Sequence, residues 1–242
     1  MPTAATDPSL QPPPAARAGL SGSVYGALLN HRPELLALGD AVNQPPYKGA
    51  PRAPVLAVMP RHTHAADGSV LVLPDGCEGL QVGVALGFVI GRVACRVPLQ
   101  AALDFVAGYL AVGEVTLPMS GNPAIHYRPG VRLRARDGFC PLGPQVTMAR
   151  DFVAPDERAM RVWVDGQLAQ STSTGDRLRG VAQLIADVTE FMTLHAGDVL
   201  SLGRSHGAPL VRVGQQVVLE VEGLAPLHHR VVAEAALAGD AA

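Results

Sequence analysis

The chain has 242 residues and a formal net charge of −2, with 48% apolar and 17% charged residues. That length suits one large or two small domains with a substantial core, and the charge offers nothing global to attract nucleic acid or an anionic membrane. Aromatic residues at 4% leave few stacking platforms, no eighteen-residue apolar run suggests a membrane span, and Cys77, Cys95 and Cys140 form no zinc pattern, which fits reduced thiols in a cytoplasm.

With 26 Gly and 21 Pro the chain has many turns, hence many short strands. Residues 1–19, rich in Ala and Pro, read as a flexible tail, and 20–66 as a small strand and helix segment. Ser21 to Leu29 reads as the first strand, and Pro33 opens a helix from Glu34 to about Val42. Between them Asn30-His31-Arg32 has two readings: a site where strand meets helix, or a capping turn with Asn30 bonded to local backbone. Val55–Met59 and Val70–Leu73 are strand-like. His62 and His64 share a face at i, i+2 but have no third ligand nearby, which favours surface histidines over a metal site.

Residues 67–235 carry the main body. Gln81–Ile90 is a buried-strand run, with Val93–Arg96 continuing it or pairing back as a hairpin. Leu99, Ala102, Leu103, Val106 and Leu110 recur at helical spacing over Pro98–Tyr109, and Leu110–Leu117 returns to strand with Glu114 inside. A loop over 121–130 leads to the stretch Arg132-Leu-Arg-Ala-Arg136-Asp137-Gly138. Three arginines alternate with small apolar residues, so an extended strand points all three guanidinium groups one way. Such a row suits an anionic small molecule, because guanidinium pairs with carboxylate through two parallel hydrogen bonds. The alternative is a solvated edge strand whose charges deter aggregation.

Further on, Gln145–Met148 reads as a strand. Asp165-Gly166 is a hairpin turn between Met160–Val164 and Gln167–Ser171. Leu178–Met192 is an amphipathic helix, and Val199–Leu202, Val211–Val213 and Gln216–Glu222 are strands. The end, from Ala233 and through 236–242, reads as frayed. There is no dinucleotide fingerprint, Walker loop, nucleophile elbow or zinc-protease helix.

Five segments in order nevertheless resemble the fumarylacetoacetate hydrolase family. They are Leu86-Gly-Phe-Val-Ile-Gly91-Arg92, Gly108-Tyr109 with Glu114-Val-Thr116, Asp137-Gly-Phe-Cys-Pro-Leu-Gly-Pro144, Val164-Asp-Gly-Gln-Leu-Ala-Gln170 and Leu194-His-Ala-Gly-Asp-Val-Leu200. Within it, Leu29-Asn-His-Arg32, Pro45-Pro-Tyr-Lys48, Pro60-Arg61 and Arg136-Asp-Gly-Phe-Cys-Pro141 are similar to the N-terminal half of the decarboxylase/isomerase branch of aromatic-acid breakdown. The resemblance implies an α+β, mostly β fold, a mixed β-sandwich roll with a few short helices and the site in its mouth. It also implies decarboxylation of 5-oxopent-3-ene-1,2,5-tricarboxylate and isomerisation of 2-hydroxyhepta-2,4-diene-1,7-dioate, with a tri- or dicarboxylate as ligand and a homodimer, or a heteromer with a paralogous subunit, as assembly.

The family resemblance further implies a divalent cation, Mg²⁺ or Mn²⁺, held by Glu-x-Glu on one strand and an Asp on the next. Here the matching positions are Gly83, Ala85 and Glu114, so the expectation is that this chain binds none. The family lysine is matched by Arg134 and its partner aspartate by Asp137, while Gln170 and Thr174 fall on substrate-contact positions and Gly203-Arg-Ser205 on the Gly-Thr-Pro loop. Three functions follow. One is an enzyme whose electron sink is cationic, with Arg134, Arg136 and Arg32 holding the acid, Asn30 beside them, and His31 moving the proton. The others are a silent companion to a metal-bearing paralogue, and a plain acid-binding module.

Overall fold

The computed structural model describes residues 20–21, 23–44, 49–118 and 130–238. The N-terminal tail, Pro45–Lys48, most of the 121–130 loop and the last four residues therefore lie outside the described residues. The first strands are β1 (Val24–Leu28), β2 (Val55–Met59), β3 (His64–Ala65) and β4 (Val70–Leu73), with helix α1 (Arg32–Leu38) between the first two. Two eleven-residue strands follow, β5 (Leu80–Ile90) and β6 (Val106–Thr116), then a single helical turn α2 (Val131–Arg134), β7 (Cys140–Pro141) and β8 (Thr147–Met148). The hairpin β9 (Ala159–Val164) and β10 (Gln167–Ser173) leads into α3 (Val181–Phe191). The chain closes with β11 (Val199–Ser201), β12 (Leu210–Val211), β13 (Gln216–Val221), β14 (Leu227–Ala233) and α4 (Glu234–Ala238).

The larger sheet runs β2-β1-β11-β5-β6-β8, with β12 also on β5; a second runs β10-β9-β13-β14-β4, and β3 and β7 pair apart from these two main sheets. Both are mixed: β1 lies parallel to β11, and β14 parallel to β4, among antiparallel neighbours. Nearly every residue of β5 is buried, which is why its sequence reads as a continuous apolar run and not an alternation. β13 does alternate, with Val217, Leu219 and Val221 inward. Leu80, Val82, Leu86 and Phe88 from the first sheet share a core with Met160, Val162, Leu219 and Val231 from the second, so the two sheets form the expected sandwich. Asp165 (φ 50°) and Gly166 (φ 78°) make the left-handed two-residue turn of the β9–β10 hairpin, with Gln216 N–H and Gln215 Nε2 donating to the Asp165 carboxylate. Among the described residues no helix is long and apolar enough to cross a membrane.

Several expectations are corrected. The arginine stretch is not a strand: Val131–Arg134 closes a helical turn, so its three guanidinium groups do not share a face. Over Pro98–Tyr109 only Leu99–Phe105 is helical, as a 3₁₀ segment, and β6 already starts at Val106. The apolar spacing misleads there because Leu99 and Leu103 point outward and Ala102 alone is buried. Val93–Arg96 forms no strand; Ala94 makes a single bridge to Leu194. The end does not fray at Ala233, since β14 pairs with β4 through that residue and α4 follows.

Candidate active site

The chain leaves β1 through Leu29, a non-glycine residue at φ 55°, and enters α1 at once. Across from it, β11 leaves the same sheet through Gly203 into the loop 203–208. At Gly203 (φ 82°) a Cβ would sit 1.9 Å from the Ala27 carbonyl oxygen, so only glycine lets the loop leave this close to β1. Between the two exits lies a cavity of about 200 Å³, lined by Ala27 to Leu29, Glu34, Gln81, Glu114, Arg134 and residues 204–208. A strained turn beside a cavity is a common setting for a site.

Charge inside it is mixed. Arg134 reaches it from α2, Arg204 from the loop, Glu114 from the middle of β6 and Glu34 from the first turn of α1. Glu114 accepts a hydrogen bond from Ser201 Oγ at 2.7 Å. Burial pushes the Glu34 carboxyl up, against the pull of Arg204, His206, Arg134 and Arg177. Burial also brings the Arg204 guanidinium down to about 10, with Arg134 adding to the shift and Glu114 and Glu34 opposing it.

Of the residues expected at a site, the structure brings Arg134 and Glu114 to the cavity. The others are elsewhere. Asn30 is buried and bonded to backbone throughout: Nδ2 donates to the carbonyls of Arg179 and Leu202, and Oδ1 accepts from Arg179 N–H. His31 Nδ1 accepts the His206 N–H at 3.0 Å, while Nε2 is buried with no partner among the described residues. Burial first, then the Arg177 charge, lower its pKa to about 4, so the ring is neutral near pH 7. Gln170 Nε2 donates to the His206 carbonyl, and buried Thr174 Oγ1 accepts the Arg158 N–H. Arg32 and Asp137 are exposed, and Arg136 Nη1 donates to the Arg132 carbonyl. Of the expected row Arg32, Arg134 and Arg136, only Arg134 lines the cavity, where it is joined by Arg204. His62 and His64 also part company: each ring nitrogen Nε2 faces a backbone oxygen, of Ala135 and Met59 respectively.

Sequence reasoning missed Glu34, Gln81 and the buried Arg177, and gave Arg204 only as part of the loop Gly203-Arg-Ser205 with no role. Glu34 lies three residues after His31, a spacing that puts both on one side of a helix start. Arg177 Nη2 donates to the Gly203 carbonyl (2.8 Å) and Ser205 Oγ (3.1 Å), bracing the loop from behind. Nothing local in the sequence marks that contact.

The residues present do not fit a divalent cation. Gly83 pairs with Glu114 across β5 and β6, and Gly83 and Ala85 face the same way without a donor atom. Among the described residues no three His, Cys, Asp or Glu side chains group as a ligand set.

A mixed two-sheet sandwich thus carries a cavity lined by two arginines and two glutamates. The chain belongs to the fumarylacetoacetate hydrolase family: the family model for the fumarylacetoacetate (FAA) hydrolase C-terminal domain matches residues 23–232. It is 34% identical over 215 residues to a 4-hydroxyphenylacetate degradation bifunctional isomerase/decarboxylase of Salmonella dublin, covering 89% of this chain and 48% of the relative. The chain thus spans about half the length of the curated relatives of that kind. A 5-carboxymethyl-2-hydroxymuconate delta-isomerase from Mycobacterium smegmatis superimposes with TM-score 0.72 at 26% identity, over 89% of this chain and 80% of that one. A fumarylpyruvate hydrolase from Pseudomonas aeruginosa, solved with Mn²⁺ and pyruvate, shares the fold at TM-score 0.74 and 24% identity, over 88% and 90% of the two chains.

Proposed function

We propose that the chain is one half of an isomerase/decarboxylase of 4-hydroxyphenylacetate breakdown, acting on a 2-oxo or 2-hydroxydienoate carboxylic acid without a metal of its own. The observation that carries this reading is the cavity itself, whose lining sets two guanidinium groups against two carboxyl groups around one small space. Loss of CO₂ from 5-oxopent-3-ene-1,2,5-tricarboxylate and migration of a double bond in 2-hydroxyhepta-2,4-diene-1,7-dioate both pass through an electron-rich dienolate. Arg134 and Arg204 supply fixed positive charge where that negative charge develops, and in a cavity walled by protein such charge is stronger than in water. Glu34, held protonated to higher pH than an ordinary carboxyl, is the group placed to hand a proton to the dienolate carbon; in the isomerisation Glu114, across the same cavity, takes the proton that leaves the 2-hydroxyl as the dienolate forms. His31 positions the loop through His206 and does not itself carry the proton.

The half-length match supports an assembly of two such units, either a homodimer or a pair with a paralogous chain. The test is an ultraviolet assay of the purified chain with the unsaturated tricarboxylate and with the dienedioate, in excess chelator, alone and with the paralogue, alongside light scattering. Turnover that survives the chelator is the expected result. Failure to bind or convert either acid in every combination would sink the proposal.

A further inference from the structure

On β5, Gln81, Gly83 and Ala85 point to one side of the strand, and Gly83 is paired with Glu114 on β6. This is the wall where the family resemblance puts carboxylate ligands. The space in front of Gly83 is already filled. A Cβ built there would lie 2.9 Å from Arg204 Cβ, 3.1 Å from Arg204 Cδ and 3.4 Å from Ala208 Cβ. The first of these is the root of the side chain and not its free end, so Arg204 cannot simply swing aside. Its stem lies along the glycine, and Nη2 donates to Gln81 Oε1 at 3.3 Å. The lack of a side chain at Gly83 thus leaves the room in which the stem of Arg204 lies. The result is a guanidinium on the cavity wall, with Glu114 and Arg134 lining the same space.

We propose that Arg204 is the resident cation of this pocket, occupying the wall in front of Gly83 and gripping the 2-oxo carboxylate of the ligand directly, so that binding is independent of divalent ions. The proposal rests on the reading of the cavity as an oxo-acid site. A guanidinium differs from a metal ion in what it selects. It presents planar, paired donors, which match the two in-plane oxygens of a carboxylate or of a 2-oxo acid.

Oxalate, a planar mimic of a 2-oxo acid enolate, is the probe. Calorimetric titration of the full chain with oxalate should give the same affinity, within about twofold, in EDTA and in Mn²⁺. R204M should weaken oxalate by roughly tenfold or more, and R204K should fall between, because an ammonium keeps the charge and loses the planar fork. Electron paramagnetic resonance should show no uptake of Mn²⁺ by the wild-type chain. Wild-type oxalate affinity in R204M or R204K with an unchanged melting profile, a requirement for Mn²⁺, or stoichiometric Mn²⁺ uptake would each overturn the Arg204 assignment and leave the oxo-acid pocket standing. A wild-type chain that binds no oxalate under either condition would remove the pocket reading and this one with it.

Discussion

The loop 203–208 has two sides, and each carries an arginine. Behind it, Arg177 is 3% exposed and donates to the loop's own Gly203 carbonyl and Ser205 hydroxyl, with Ser205 Oγ donating on to Thr172 Oγ1. In front, Arg204 faces the cavity with Arg134 and two carboxyl residues. Burial lowers both guanidinium groups to about 10. The same chemistry therefore serves two ends. Where the donors meet backbone, the charge fixes the loop; where they face open volume, the charge remains available to a ligand. What separates a structural from a functional arginine here is the neighbour, not the residue type.

That contrast can be broken most severely from behind. R177M leaves the Gly203 carbonyl and Ser205 hydroxyl without their buried donor, and should cost about 3 kcal/mol of stability, read as a lowered denaturant midpoint. N30A removes three hydrogen bonds joining the end of β1 to Arg179 and Leu202; roughly 2–3 kcal/mol should be lost in the same measurement. From the front the pattern should invert. R134M should change stability by less than about 0.5 kcal/mol yet weaken oxalate by roughly tenfold, about 1.4 kcal/mol of binding. If R134M unfolds the protein, or R177M merely weakens binding, the division between the two sides is wrong.

Two smaller effects follow from titration. His31 has a folded pKa of about 4 against 6.5 for the free side chain. Between those values the unfolded chain binds the proton and the folded one does not. The contribution is therefore fully present above about pH 6.5 and is lost as pH falls towards 4. H31Q should flatten the melting temperature over that interval. Glu34 is raised, so its acid form persists to higher pH than usual and turnover should fall as pH rises through its pKa. E34Q should lose that limb of the profile. D137N, an exposed turn residue, should do nothing measurable to either property.

Periodicity made the strands legible. Val55–Met59 and Val70–Leu73 fall where the sequence places them, and the β9–β10 turn was announced by Asp165-Gly166 because an Asp-Gly pair readily takes the left-handed conformation that tight hairpins favour. β14 escaped notice although Leu227, His229 and Val231 alternate inward, because histidine in the buried register hides the apolar pattern. At the site, Arg134 and Glu114 were legible from family positions. Arg132 and Arg136 misled because alternation implies a shared face only in an extended chain, and α2 is a helical turn.

By itself the sequence determined that strands dominate, that β5 is buried on both faces, and that carboxylates are missing at positions 83 and 85. These are local properties of residue type and spacing. Only the tertiary structure decided that Arg204 fills the room Gly83 leaves, that Arg177 braces the loop from behind, and that Asn30 and His31 hold backbone. Those facts depend on which backbone comes within 3 Å of which side chain across more than a hundred residues of chain, and no local pattern encodes that proximity.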